Sequence, residues 1–197
     1  MTSAKPELVL ASESPRRLAL LEQVGVKPSR VVPAGIDESV GAKELPRAHA
    51  LRIASEKAAA VHDRLAADAK PRVILAADTV VACGRRILPK AEDDATVRKC
   101  LGLLSGRRHT VITAVALIDA NGKLRTRITE TKVAFRRLEK QEIAGYANLG
   151  EGLGKAGGYA IQGHAAVFVR TINGSYTNVV GLPLAETFQL LRACGAA

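Results

Sequence analysis

Residues 12–17 read Ser-Glu-Ser-Pro-Arg-Arg, directly after the apolar run Leu8–Ala11. Ser14 can cap a helix, and Pro15 suits the first helical position, where its missing N–H costs nothing. A helix N-terminus already carries partial positive charge, so Arg16 and Arg17 add repulsion there unless an anion sits nearby. Outward N–H groups, the helix dipole and two guanidinium forks together make a cradle for phosphate oxygens. The plainer alternative is a capped helix with two solvated arginines. Asp78 closes a second apolar run, Val73–Ala77. A carboxylate where a strand of an α/β sheet stops faces the usual ligand crevice. There it can hold a divalent metal, activate a water or cap the next turn. Asp37 and Glu38, in the loop PAGIDES, offer a second hard oxygen ligand. Mg2+ takes one or two carboxylates and completes its shell with water and phosphate. Lys57 and Lys90 are point charges suited to phosphate, although most lysines are simply solvated.

The stretch Gly154–Gly163 reads GKAGGYAIQG. Its glycines permit close backbone approach, and Gln162, donor and acceptor at once, suits the edge of a base. The P-loop spacing is absent, and a flexible loop is the alternative. Ser175–Asn178 is a polar stretch that can contact a ligand or make a turn. The four histidines show no metal-ligand spacing, and no Ser/His/Asp or Cys/His set can be argued from spacing. Cys83, Cys100 and Cys194 are widely spaced without a CxxC pair, which argues against a zinc site or disulfide framework and fits a reducing cytosol.

These residues need elements to hold them. Leu8–Ala11 reads as a buried strand. The helix after Ser14 would bury Leu18, Leu21 and Val24 and stop at Gly25. Arg30–Val32 is a second short strand. A long alanine-rich helix runs from about Pro46 to Ala67, with Leu51, Ala54, Ala58, Val61 and Leu65 at helical spacing. Val73–Ala77 is a strand ending at Asp78-Thr79; Val80–Cys83 leads on to a turn at Gly84, and Arg86–Leu88 returns. A helix spans Asp94–Leu104. Thr110–Ile118 and Lys123–Phe135 form a hairpin about the turn Asp119–Gly122. Helices follow at Lys140–Ala147 and Leu182–Ala193, with a strand at Ala166–Val169. Early alternation of strand and helix with a central hairpin predicts an α/β protein with a mixed sheet.

With 197 residues, 47% of them hydrophobic, the chain can bury a core as one domain. No apolar run approaches a membrane span, and the N-terminal MTSAKPELVLAS lacks a secretory pattern. A formal charge of +10 favours anionic partners, while 3% aromatics argue against a base-stacking platform for nucleic acid.

In order along the chain, ASESPRR, the DES loop, SEKA, AADT, ILPKAED, GKAGGYAIQG and SYTNVVGLPL resemble the Maf family of nucleoside triphosphate pyrophosphatases, from about Leu8 to Leu191. The resemblance implies a cytosolic enzyme with an inosine-triphosphatase-like α/β fold, a single domain over residues 1–197 whose two lobes flank a deep cleft. It implies hydrolysis of a nucleoside triphosphate to the monophosphate and pyrophosphate with a divalent cation, Mg2+ or Mn2+. By motif, Asp78 matches the family's proton acceptor. Arg16, Thr79 and Gln162 match positions tied to substrate choice. Ser12, Arg17, Glu38, Lys57 and Lys90 match polar positions lining the cleft, with Glu38 joining Asp78 as metal ligand. Arg16, Arg17, Lys57 and Lys90 are expected to neutralise phosphate charge during transfer. The KAG-x-Y-x-IQG segment resembles the branch acting on dTTP and UTP. The family commonly reads GKP where this chain has Pro89-Lys90-Ala91, and commonly has a tryptophan before KAG, which this chain lacks. The expected partner is a nucleoside triphosphate, with no membrane and no nucleic acid; a homodimer stays open. The rival reading is a non-catalytic nucleotide- or nucleic-acid-binding regulator of cell division or septum formation.

Overall fold

The computed structural model describes residues 6–67 and 70–197; residues 1–5, part of the stretch read for a secretory pattern, lie outside the described residues. The elements run β1 (Glu7–Ala11), α1 (Pro15–Gln23), β2 (Arg30–Val31), α2 (Pro46–Arg64), β3 (Arg72–Cys83), β4 (Arg86–Leu88), α3 (Asp94–Leu104), β5 (Arg108–Ile118), β6 (Leu124–Phe135), α4 (Lys140–Asn148), a 3-10 turn (His164–Phe168), β7 (Val169–Asn173), α5 (Tyr176–Val180) and α6 (Leu184–Ala193). The strands form one mixed sheet in the order β2-β1-β3-β5-β6-β7, with β4 paired to β3. β1 runs parallel to β2 and β3, and the other pairings are antiparallel. The mixed sheet expected from the sequence is therefore the one observed. Among the described residues no helix is long and apolar enough to cross a membrane.

β3 and β5 are buried on both faces, and their side chains alternate between two cores. Val73, Leu75, Ala77 and Val81 of β3 pack with Val115 and Leu117 of β5 toward α1, α3 and α6. Ile74, Ala76 and Val80 pack with Ala114, Ala116 and Ile118 toward α2. Helix α2 meets them through Ala50, Ala54, Ala58 and Val61, all fully buried and spaced three or four residues apart. Small side chains there let the helix lie close to the sheet. Asp78 shares parity with Ile74, Ala76 and Val80, so its side chain faces α2.

The sequence predicts a strand that ends at Asp78-Thr79, but β3 runs on through both residues. It is a single twelve-residue strand. What ends nearby is its neighbour. β1 pairs with β3 only from Glu7↔Arg72 to Ala11↔Ala76, and β4 takes over that edge only from Val81↔Leu88. Residues 77–80 thus lie on a strand hydrogen-bonded to β5 on one side and without a strand on the other. The crevice opens in this gap, where β1 leaves the sheet and turns into α1. Ligand crevices of α/β sheets form at such strand exits.

Other differences have local causes. Ser14 flanks α1 but makes no side-chain cap; its own N–H donates instead to Ser12 Oγ at 3.1 Å. Helix α1 buries Leu20 and Leu21, while Val24 lies at the exposed exit before Gly25. Helix α2 ends at Arg64 rather than Ala67. Residues 164–168 wind into a 3-10 turn that places Phe168 against Phe135 and Tyr146, so β7 starts only at Val169. The polar stretch at Ser175 becomes the short helix α5, capped by the Ser175 side chain, and α6 starts at Leu184, after Pro183.

Candidate active site

The crevice is a cavity of about 590 Å³. Its wall holds Ser12, Arg16 and Arg17 from the β1–α1 turn, Glu38 from the loop between β2 and α2, Lys57 from α2, Asp78 and Thr79 from β3, Lys90, and Gln162, whereas Asp37 and Ser175–Asn178, which the sequence also offered, do not line it. A second hollow of about 620 Å³ lies near the start of β1; its titratable groups, Glu7, Lys27 and Lys70, do not pair with one another.

At the centre, Lys57 Nζ donates to Asp78 Oδ1 at 2.9 Å and lies 2.9 Å from Glu38 Oε1. Lys57 and Asp78 are buried, at 8% and 7% exposure, whereas Glu38 is half-exposed. Burying a lone ammonium would be costly; the lysine is tolerated on the sheet-facing side of α2 because two carboxylates meet it. Asp37, the other acid of the loop, bonds the backbone N–H and hydroxyl of Ser39 and so shapes the turn.

The two arginines part company. Arg17 is buried, its Nε donating to the Gly181 carbonyl at 2.9 Å, one terminal nitrogen to Ser12 Oγ at 3.1 Å and the other to Thr79 Oγ1 at 3.2 Å. Burial pushes its guanidinium below the ordinary value and Arg16 pushes the same way, while Asp78 and Glu38 oppose them. Arg17 therefore ties the β1–α1 turn to β3 and to the segment after α5. Arg16 lines the cavity, is half-buried and donates only through Nε, to the Val180 carbonyl at 3.3 Å, so its terminal nitrogens make no hydrogen bond within the protein.

The glycine-rich stretch closes the opposite wall. Gly157 N–H donates to the Pro89 carbonyl, Ala91 N–H to Lys155 and Gly154 N–H to Ala91, with Lys90 bridged to Ala156. Gly157 has φ +68° and its Cα abuts Val81; a Cβ there would meet Val81 Cγ1 at 2.8 Å. The glycine is required by both backbone and space. Gln162 is exposed on this wall with its amide unpaired.

The family model described as Maf-like protein matches residues 7–194. A protein of Caulobacter vibrioides named dTTP/UTP pyrophosphatase is 58% identical over 193 residues, 98% of each chain. One of the same name from Paramagnetospirillum magneticum is 57% identical over 96% of this chain and 98% of its own. The chain belongs to the Maf family. A solved structure of a dITP/XTP pyrophosphatase from Mycobacterium abscessus is similar at 18% identity with a TM-score of 0.46, covering 94% of this chain and 96% of that one.

Two features of this Maf chain escaped the sequence reading. Lys155 lies on the cavity wall, although only the glycines and Gln162 of its segment were singled out. Behind Thr79 runs a buried polar chain: Thr79 Oγ1 to Thr113 Oγ1 at 2.9 Å, Thr113 to the Asn178 carbonyl, and Asn178 Nδ2 to the Val111 carbonyl and Thr131 Oγ1. Its one sequence signal was Thr113 within the largely apolar β5; Thr131, equally buried, sits in the polar strand β6 and gave none.

Proposed function

We propose that this chain hydrolyses nucleoside triphosphates, dTTP and UTP foremost, to the monophosphate and pyrophosphate. The observation that carries the reading is the convergence of Asp78 and Glu38 on Lys57, in a cavity whose wall also bears Arg16, Arg17, Lys90 and Lys155. The names of the similar Caulobacter and Paramagnetospirillum proteins support the substrate class.

Asp78 Oδ1 is engaged by Lys57, which leaves Oδ2 for a water. Asp78 orients that water and takes its proton as the water oxygen bonds to the α-phosphorus. The bond from that phosphorus to the bridging oxygen breaks, and pyrophosphate leaves with the electron pair. Lys57 fixes the carboxylate in place. Arg17 holds the β1–α1 turn and Thr79 in register, and Ser12 N-terminal to the helix completes that turn. Arg16 and Lys90 meet the phosphate charge, and Gln162 reads the base edge.

Glu38 and Asp78 also fit a divalent cation. Each meets Lys57 Nζ with one carboxylate oxygen, and the second oxygen of each is a hard donor; two carboxylates are the number Mg2+ or Mn2+ uses beside substrate phosphates. Such an ion, when bound, supplies Lewis-acid polarisation of phosphate oxygens. Three free cysteines support a cytosolic setting. The non-catalytic regulator is not favoured, because a binding protein has no need of a buried carboxylate held among its phosphate-binding cations.

The test is pyrophosphate release from dTTP, UTP, CTP, ATP and GTP with Mg2+ or Mn2+, for wild type beside Asp78→Asn. Wild type should favour dTTP and UTP, and the variant should lose at least about 100-fold in kcat, the scale of a lost general base. Near-normal turnover by the variant refutes the role of Asp78. No release by wild type from any triphosphate refutes the activity.

A further inference from the structure

Three cations share the outer wall of the cavity: Arg16, Lys90 and Lys155. They differ from Lys57 and Arg17 in one respect. Lys57 is neutralised by two carboxylates, and Arg17 has its fork tied to oxygens of the protein. Arg16 and Lys155 bond only neutral backbone carbonyls, those of Val180 and Leu153, and Lys90 makes no side-chain bond. Among the described residues none of the three forms an ion pair. Glu13, on the same wall, is exposed and does not reach them.

The backbone enforces this crowding. The Lys90–Ala156 bridge and the bonds from Ala91 to Lys155, Gly154 to Ala91 and Gly157 to Pro89 lock the two lysine-bearing segments side by side. Lys155 cannot swing its backbone away, because Gly157 seats the turn against Val81. Burial pushes the Lys155 ammonium below its ordinary value, and Arg16 and then Lys90 push it the same way. Like charges held together without counter-charge are unfavourable until an anion joins them. Each has donors to spare, and a lysine offers three.

We infer that Lys155 is a substrate-binding residue which, with Arg16 and Lys90, grips the two phosphoryl groups that leave as pyrophosphate. The inference rests on the proposed triphosphate hydrolysis and assigns its leaving group a site. The α-phosphate belongs beside Asp78, where the cation is already paired. The terminal phosphates carry more charge and gain more as the bond breaks, so they belong with cations that have no carboxylate.

The experiment is calorimetric titration of the full chain with inorganic pyrophosphate and, separately, with UMP. Lys155→Met keeps the stem and removes the charge. It should weaken pyrophosphate binding by about 10-fold or more, the scale of a lost charge-assisted hydrogen bond. UMP binding should stay within about twofold, since it presents only the α-phosphate, and Lys155→Arg should restore most of the loss. Amine acylation of wild type, read by mass spectrometry, gives a second answer that needs no variant to fold: saturating pyrophosphate should protect Lys155. The inference is overturned if Lys155→Met, melting like wild type, binds pyrophosphate as wild type does, or if Lys155 labels equally with and without pyrophosphate. It is overturned too if wild type turns over triphosphates but binds no pyrophosphate. A wild type that releases no pyrophosphate from any triphosphate overturns the parent reading instead, so the two failures are distinct.

Discussion

Removing the ammonium at the centre of the site should destabilise the fold more than removing the carboxylate it meets. In Lys57→Met, Asp78 keeps its 7% exposure and loses the donor at 2.9 Å. Leaving one partner of a buried ion pair uncompensated costs about 3–5 kcal/mol. Arg17, which feels the Asp78 charge, offsets part of this, so about 3 kcal/mol is expected. In Asp78→Asn, Lys57 keeps Glu38 at 2.9 Å, and the loss is nearer one charge-assisted hydrogen bond, about 2 kcal/mol. The double variant has no buried charge left without a partner from this pair. Its loss should fall short of the sum of the singles by about 2 kcal/mol, against the roughly 0.5 kcal/mol scatter of independent sites. Urea unfolding followed by far-ultraviolet circular dichroism is the assay, because the chain has no tryptophan. For this size of domain, Lys57→Met should lower Tm by roughly 6–12 °C. Additivity within about 0.5 kcal/mol would mean that Lys57 and Asp78 are not coupled, and that Lys57 is buried for some other reason.

Stability should also depend on pH through His109, which burial pushes down to about 4 and whose Nε2 lies 2.8 Å from Tyr159 Oη. The unfolded chain takes up its proton below about 6.5 and the folded chain only near 4, so about 3 kcal/mol of stability should be lost as pH falls through that window; urea titrations at pH 7 and 4.5 should show it, and His109→Gln should flatten it. Gly157→Ala combines a positive φ with a Cβ 2.8 Å from Val81 Cγ1 and should cost about 2–4 kcal/mol. Gly154→Ala, with φ +67° and open space, should cost about 1–2 kcal/mol by the same thermal melt, and equal losses would show that the Val81 contact is not what demands the glycine.

Much of this protein is legible from short-range pattern. The apolar runs of β1 and β3, the alanine stripe of α2, the hairpin turn before β6 and the glycines at its bends follow from period and propensity, which act between near neighbours. The residues that the motifs name, from Ser12 to Gln162, were legible as a set, and one cavity gathers them. Which charge does what was not. Arg16 and Arg17 are adjacent and chemically equal in the sequence, yet Arg17 is claimed by Gly181, 164 residues away, and Arg16 keeps its terminal donors. Lys57 resembles a surface lysine on an alanine-rich helix until Asp78, 21 residues on, meets it inside the protein. Asp78 marks a crevice although its own strand does not end there, because the neighbouring strand does. Lys155 passed as a spacer among glycines until the bridge at Ala156 set it beside Lys90. Residue type sets how much charge a chain carries; the packing of distant segments decides which charges are cancelled and which are left for a ligand, since pairing and burial exist only once those segments meet.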